Sequence, residues 1–176
     1  MKLYFYGTSR RENREETGSG VISFAVPDIG FVFRSAHRGT SSECEYQALL
    51  SLCLFVEANA GVFKGQNLEF LGDSATVVYQ VGRTAVSTHL SGRALRGLST
   101  DGGVPSRPAG VLERIRAFKK KLGFSVHWVP VLENRAAEQA ALHPTVKNFP
   151  LSEKLDTSFL EAFKLKKSSD SGLSSF

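Results

Sequence analysis

The chain has 176 residues, 41% hydrophobic and 22% charged, with a formal net charge of +5 at pH 7. That length suits one domain with a real core and is short for two, while the hydrophobic share excludes a chain disordered throughout. A pI near 9.4 favours a polyanionic partner, with a merely soluble basic surface as the plainer alternative.

Lys2 to Gly7 (KLYFYG) has the aromatic, β-rich composition of a strand and is expected to stop at Gly7-Thr8-Ser9. Arg10 to Thr17 is dense in charge and reads as an exposed loop, with Arg10, Arg11 and Arg14 among Glu12, Glu15 and Glu16. Gly18 to Val26 is a second strand entered through glycines. Pro27-Asp28-Ile29-Gly30 is turn chemistry, and a third strand spans Phe31 to Ala36. These two strands make a hairpin, and with the first alongside they imply an antiparallel start.

The period then changes. Ser42-Glu43-Cys44-Glu45 reads as a capping box ahead of a helical run to about Ala60, ended by Gly61 and Gly65. Ala48, Leu49, Leu50, Leu52, Cys53, Leu54, Phe55 and Val56 make that run apolar nearly all round, so it should be buried on more than one side. Its two cysteines, Cys44 and Cys53, are nine apart and on opposite helix faces, so they do not bridge each other. They read as small buried side chains in a reducing compartment.

Leu68 to Leu71 is a short strand running into Gly72-Asp73-Ser74, and helical sequence follows from Ala75 to about Val81. Residues 84–108 are rich in Ser, Gly, Thr and Pro and form the least ordered internal stretch. Gly110 to Leu122 is amphipathic, with Val111, Leu112, Ile115, Phe118 and Leu122 in one stripe. Its other face carries Arg114, Arg116, Lys119, Lys120 and Lys121 against the single acid Glu113. Ser125 to Val129 is a last strand broken by Pro130, and Asn134 begins a helix from Arg135 to Leu142.

Two units follow: a domain over residues 1–145 and a partly disordered C-terminal extension over residues 146–176. The extension holds an apolar cluster of Phe159, Leu160, Phe163 and Leu165. The order β-β-β-α-β-α-(α)-β-α implies an α/β fold, a mixed sheet flanked by helices. No apolar run reaches membrane-spanning length and the first residues lack a signal-peptide core, so a cytoplasmic or otherwise intracellular location and no membrane partner are expected.

Three carboxylates, Glu45, Asp73 and Glu138, fall where a strand meets a helix or a helix begins. Acids converging from separate elements point to a hard divalent cation, which takes oxygen ligands. Each acid has a plainer reading. Glu45 closes the expected capping box, Asp73 before Ser74 could be an N-cap, and Glu138 beside Arg135 could be a solvated charge.

Four local patterns, in order, resemble the ribonuclease H-like superfamily and above all type I ribonuclease H. They are Tyr6-Gly7-Thr8 followed by Gly18-Ser19-Gly20-Val21-Ile22; Thr40-Ser41-Ser42-Glu43-Cys44-Glu45-Tyr46-Gln47-Ala48-Leu49; Asp73-Ser74-Ala75-Thr76-Val77-Val78 with Gln80 and Gly82; and Trp128-Val129-Pro130 with Asn134, Ala137 and Glu138. No one of them is specific alone. The resemblance implies a mixed five-stranded sheet whose first three strands are antiparallel.

By resemblance, Glu45, Asp73 and Glu138 would be catalytic residues and ligands to two Mg²⁺ or Mn²⁺ ions, which activate water and stabilise the leaving oxygen of a phosphodiester. Glu45 and Asp73 would hold one ion, and Glu138 would share the other with a first-strand Asp. This chain departs from the pattern there, because that position is Tyr6. A phenol is neutral at pH 7, so the substitution removes a full negative charge from the centre of the site. The helix position 138 carries Glu in place of the family's Asp. The family's loop histidine has no counterpart between Pro130 and Glu138, and His127 and His143 read as structural.

Three functions compete. One is a ribonuclease H-like protein with a degenerate carboxylate site that binds nucleic acid with weak or no hydrolysis. Its partner would be an RNA–DNA hybrid or double-stranded RNA, contacted through Arg10, Arg11, Arg14, Ser41, Ser42, Arg114, Lys119, Lys120 and Asn134. The second is an active Mg- or Mn-dependent endonuclease cleaving the RNA strand of hybrids. The third is a structural subunit that docks a protein partner through the C-terminal extension.

Overall fold

The structure, a computed structural model, describes residues 1–10, 18–82, 109–142, 155, 156 and 158. Strands β1 (Lys2–Arg10), β2 (Ser19–Val26) and β3 (Phe31–Arg38) form an antiparallel meander. Strands β4 (Glu69–Gly72) and β5 (Ser125–Trp128) continue the sheet in parallel on the other side of β1, giving the order β3-β2-β1-β4-β5. The helices are α1 (Ser41–Ala58), α2 (Ala60–Phe63), α3 (Ala75–Gly82), α4 (Ala109–Leu122) and α5 (Arg135–Leu142).

Period-two alternation sorts the sheet into two faces. Leu3 and Phe5, Ile22, Phe24 and Val26, and Phe31 and Phe33 are buried; the Phe31 ring stacks on Phe55 of α1 at 4.4 Å and the Phe24 ring lies tilted against it at 5.2 Å. Burying each of these rings stabilises the fold by roughly 1.5–3 kcal/mol, with about 1 kcal/mol more per well-placed ring pair. The far side of α1 meets α4, which buries Leu112 and Ile115. Helix α1 is therefore enclosed on both sides, as its lack of a polar face requires. The other sheet face, carrying Tyr4, Tyr6 and Thr8, is covered by α5.

Strand β1 does not stop at Gly7. Its pairing with β2 continues through Gly7–Ile22, Thr8–Val21, Ser9–Gly20 and Arg10–Ser19. Gly7 serves close approach instead, since a Cβ there would lie 2.2 Å from Cys44 C and Glu45 N. The capping box lies two residues earlier than expected. Glu43 N donates to Thr40 Oγ1 at 3.2 Å and Thr40 N donates to Glu43 Oε2 at 2.7 Å, so Thr40 and Glu43 form it. Helix α1 ends at Asn59, whose Nδ2 donates to Phe55 O at 2.9 Å, and Gly61 lies inside α2.

Both cysteines are buried and free, and burial raises the Cys44 thiol to about 11. Among the described residues no helix is long and apolar enough to cross a membrane. Part of the C-terminal extension is docked on the body: Leu155 packs on the core, Asn59 Nδ2 donates to Asp156 O at 2.9 Å, and Asp156 N donates to Asn59 Oδ1 at 2.7 Å. Arg11, Arg14 and the glutamates of that loop, residues 84–108, His143 and the cluster at residues 159–165 lie outside the described residues.

Candidate active site

The three central elements meet beside β1. Gly7 lets the strand run against the first turn of α1, which sets Glu45 next to the end of β4. Gly72 does the same for β4, because a Cβ there would lie 2.2 Å from the Phe5 ring. Asp73 follows immediately and Ser74 begins α3, with Val77 N donating to Ser74 Oγ at 3.4 Å. Ser74, not Asp73, is therefore the cap.

Asn134 fastens the far side. It is 1% exposed, and its Nδ2 donates to Phe5 O at 2.9 Å and to Asp73 Oδ1 at 2.8 Å. Its Oδ1 accepts from Ala136 N at 3.1 Å, so the same side chain caps α5. One amide thus joins β1, the β4–α3 junction and α5. Trp128 Nε1 adds a bond to Asp73 O at 3.0 Å. Asn134 was expected to contact nucleic acid; it is buried, and both its amide hydrogens and its amide oxygen are bonded within the fold, so it acts as scaffold.

Burial pushes the Glu45 carboxyl up to about 7, a hydrogen bond from Ser74 pulls it down, and the nearby Asp73 charge pushes it further up. Two acids side by side, one of them desolvated, disfavour double ionisation unless a cation offsets them. Glu138 does not join them as a ligand set. It is exposed and pairs with Arg135 Nη1 at 3.0 Å, one turn along α5. Among the described residues no group of three or more His, Cys, Asp or Glu side chains could hold a metal ion. The expectation of three converging acids is corrected to a pair, Glu45 and Asp73. With neutral Tyr6 at the fourth position, the residues present do not fit the two-cation centre that the resemblance implies.

Tyr6 instead faces the α5 side of the sheet, where it lines a cavity with Thr8, Arg10, Arg34 and Ala137. Ser41 Oγ accepts from Ser9 N at 3.3 Å and joins the end of β1 to the start of α1, while Ser42 is exposed. The basic face of α4 is partly engaged within the fold. Arg116 Nη2 donates to Gln80 O at 3.0 Å, and Lys119 Nζ donates to Val81 O and Gly82 O, both at 3.1 Å. These bonds satisfy the last carbonyls of α3 and place positive charge at its negative end. Lys121 pairs with Glu57. Lys119 is thus a helix cap, and among the described residues Arg114 and Lys120 are the cations of this face without such a partner.

Trp128 as an anchor and Arg34 as a buried cation emerge only from the structure. Arg34 had one visible signal, a lone charge amid the apolar run Phe31-Val32-Phe33.

No protein-family model matches the chain, and no curated protein matches it significantly. Solved structures do. LC11-RNase H1, isolated from compost by a metagenomic approach, is 18% identical over 81% of this chain and 97% of that one, with a TM-score of 0.54. LC11-RNase H1 in complex with an RNA/DNA hybrid is 16% identical over 81% of this chain and 99% of that one, at 0.52. LC9-RNase H1, a type 1 RNase H with the type 2 active-site motif, is 16% identical over 94% of this chain and 81% of that one, at 0.50. With its sheet order and three antiparallel leading strands, the chain has the ribonuclease H-like fold.

Proposed function

We propose that this protein is a nucleic-acid-binding ribonuclease H-like domain whose carboxylate site is degenerate, with weak or no hydrolysis. The observation that carries the reading is the reduced charge of the site: Tyr6 is neutral, Glu138 is paired with Arg135, and Glu45 and Asp73 stand as a pair. Two carboxylates do not balance two dications, so a two-ion displacement lacks its ligand set. Asn134 keeps Asp73 oriented and Ser74 holds Glu45, which preserves the shape of the site without its full charge. Binding is supported by the net charge of +5 and by the exposed Arg10, Arg114 and Lys120. A complex of LC11-RNase H1 with an RNA/DNA hybrid makes such a hybrid the first ligand to try. Binding of this kind follows phosphate neutralisation and weakens steeply with salt.

The test is cleavage of a labelled RNA–DNA hybrid in Mg²⁺ or Mn²⁺, run beside a binding assay across a salt series. The parent should bind in low salt and cut little or nothing, and Tyr6→Asp should cut more than the parent. Brisk cleavage by the parent, abolished by Asp73→Asn, would overturn the proposal in favour of an active endonuclease.

A further inference from the structure

A cavity of about 350 Å³ lies on the α5 side of the sheet, a size in the lower range of small-ligand sites. The strand register explains how it is built. Tyr6 pairs with Ser23 and Ser23 with Arg34, so these three sit in one row across β1, β2 and β3; Thr8 and Val21 form part of the next. Directly opposed residues project to the same face, which sends Arg34 away from the phenylalanine core and toward α5. Arg34 is 4% exposed, yet among the described residues its Nε and Nη1 have no hydrogen-bond partner. Buried guanidinium N–H groups almost always have partners, and one left without them carries the full cost of desolvation. Ser23, the nearest hydroxyl in the row, is turned away, donating to Phe33 O at 2.9 Å.

Among the described residues, the rest of the lining supplies no counter-charge. Tyr6, Thr8 and Ser19 bring hydroxyls, Arg10 brings a second guanidinium at the rim, and Ala137 and Ala140 of α5 keep the wall small. Burial holds the Arg34 guanidinium below its ordinary value.

We propose that this cavity binds a phosphate monoester dianion, seated on Arg34 and closed over by Arg10, with the Tyr6 and Thr8 hydroxyls as further donors. A guanidinium presents a planar fork of N–H groups that matches phosphate oxygens, and two of them match a charge of −2. The depth of Arg34 selects a monoester over a diester. An internal phosphodiester must lead a chain away on both sides, and a cation buried to this degree admits only a terminal group. Glu45 and Asp73 are not among the described residues that line this cavity, although Tyr6 belongs to both places, and the proposal does not depend on whether nucleic acid binds or is cut.

The experiment is isothermal titration calorimetry of the full chain with inorganic phosphate, a nucleoside 5′-monophosphate, the unphosphorylated nucleoside and dimethyl phosphate, with thermal melts in parallel. One ligand per chain should bind for the first two. Tighter binding of the monophosphate assigns a nucleotide, and equal binding assigns free phosphate. The nucleoside and the diester should not bind. Arg34→Met should weaken the monoester at least tenfold without lowering the melting temperature in phosphate-free buffer, since it removes an unpaired buried charge at similar volume. Arg10→Ala should weaken it several-fold, and Ala140→Leu should block it by filling the cavity. Flat titrations of the parent with both monoesters overturn the proposal, as does diester binding equal to monoester binding. Unchanged affinity in Arg34→Met overturns it too; if that variant fails to fold, unchanged affinity in both Arg10→Ala and Ala140→Leu does so.

Discussion

Replacing Asn134 by alanine removes one side chain that makes three bonds: to Phe5 O, to Asp73 Oδ1 and from Ala136 N. The neutral bond to the β1 carbonyl is worth about 1 kcal/mol net and the bond to a carboxylate about 2 kcal/mol. Loss of the α5 cap costs about 1 kcal/mol more. The sum, on the order of 4 kcal/mol, is a large part of the stability of an ordinary domain. With a urea m-value of about 2 kcal/mol/M, the unfolding midpoint should fall by about 2 M while m stays constant. Asn134→Asp keeps the capping oxygen but loses both amide donors and sets a second anion beside Asp73. It should be at least as damaging at pH 8 and recover in part at pH 5, where a protonated carboxyl can donate again. If Asn134→Ala unfolds within about 1 kcal/mol of the parent, the view of this amide as the joint between β1, β4 and α5 is wrong.

Gly7→Ala should lower stability by about 3 kcal/mol or more, because the added methyl meets backbone that cannot yield; a urea midpoint near that of the parent would contradict this. Glu45 titrates near 7 when folded against an ordinary 4.5. Between those values the unfolded chain has released this proton and the folded chain has kept it, so stability falls as pH rises from 4.5 to 7 and then levels. The loss is on the order of 3 kcal/mol, and Glu45→Gln should flatten that slope in melts taken across the window. Calorimetric titration of the parent with Mn²⁺ should show millimolar or weaker binding, and two tight sites would restore the catalytic reading. Asn59→Ala strips both bonds from the Asp156 backbone and should cost about 2 kcal/mol, with the gel-filtration size of the parent unchanged. A change in oligomeric state would instead support the extension as an arm for a partner.

Much of the sheet was legible because its strands alternate cleanly: Phe31 and Phe33 point one way, and the turn at Pro27–Ile29 is local chemistry. Helix α1 was legible from its apolar run. The end of β1 was not, since Gly7 looks like a breaker until the pairing partner and the α1 backbone beside it are in place. The capping box was misplaced by two residues because Ser42 and Thr40 are equivalent in composition, and only the chain's entry geometry chooses between them. Within the site, Glu45 and Asp73 lie close enough for the charge of one to act on the other. The pairing of Glu138 with Arg135 was visible as an i, i+3 spacing. The cap that Lys119 provides for α3 joins residues 37 and 38 apart in the chain, which no local pattern reveals.

The central place of β1 has a consequence for how the molecule is made. Its partner β2 emerges from the ribosome soon after it, but the parallel pairing of Lys2 with Glu69 must wait for β4, and β4 in turn waits for Ser125 of β5. During synthesis the meander and α1 therefore exist for a time with one margin of the innermost strand bare. Unpaired margins of this kind recruit other strands. The nascent chain is most exposed to self-association between the arrival of α1 and the arrival of β4, and variants that weaken Leu3 or Phe70 should show their damage first as poor soluble yield.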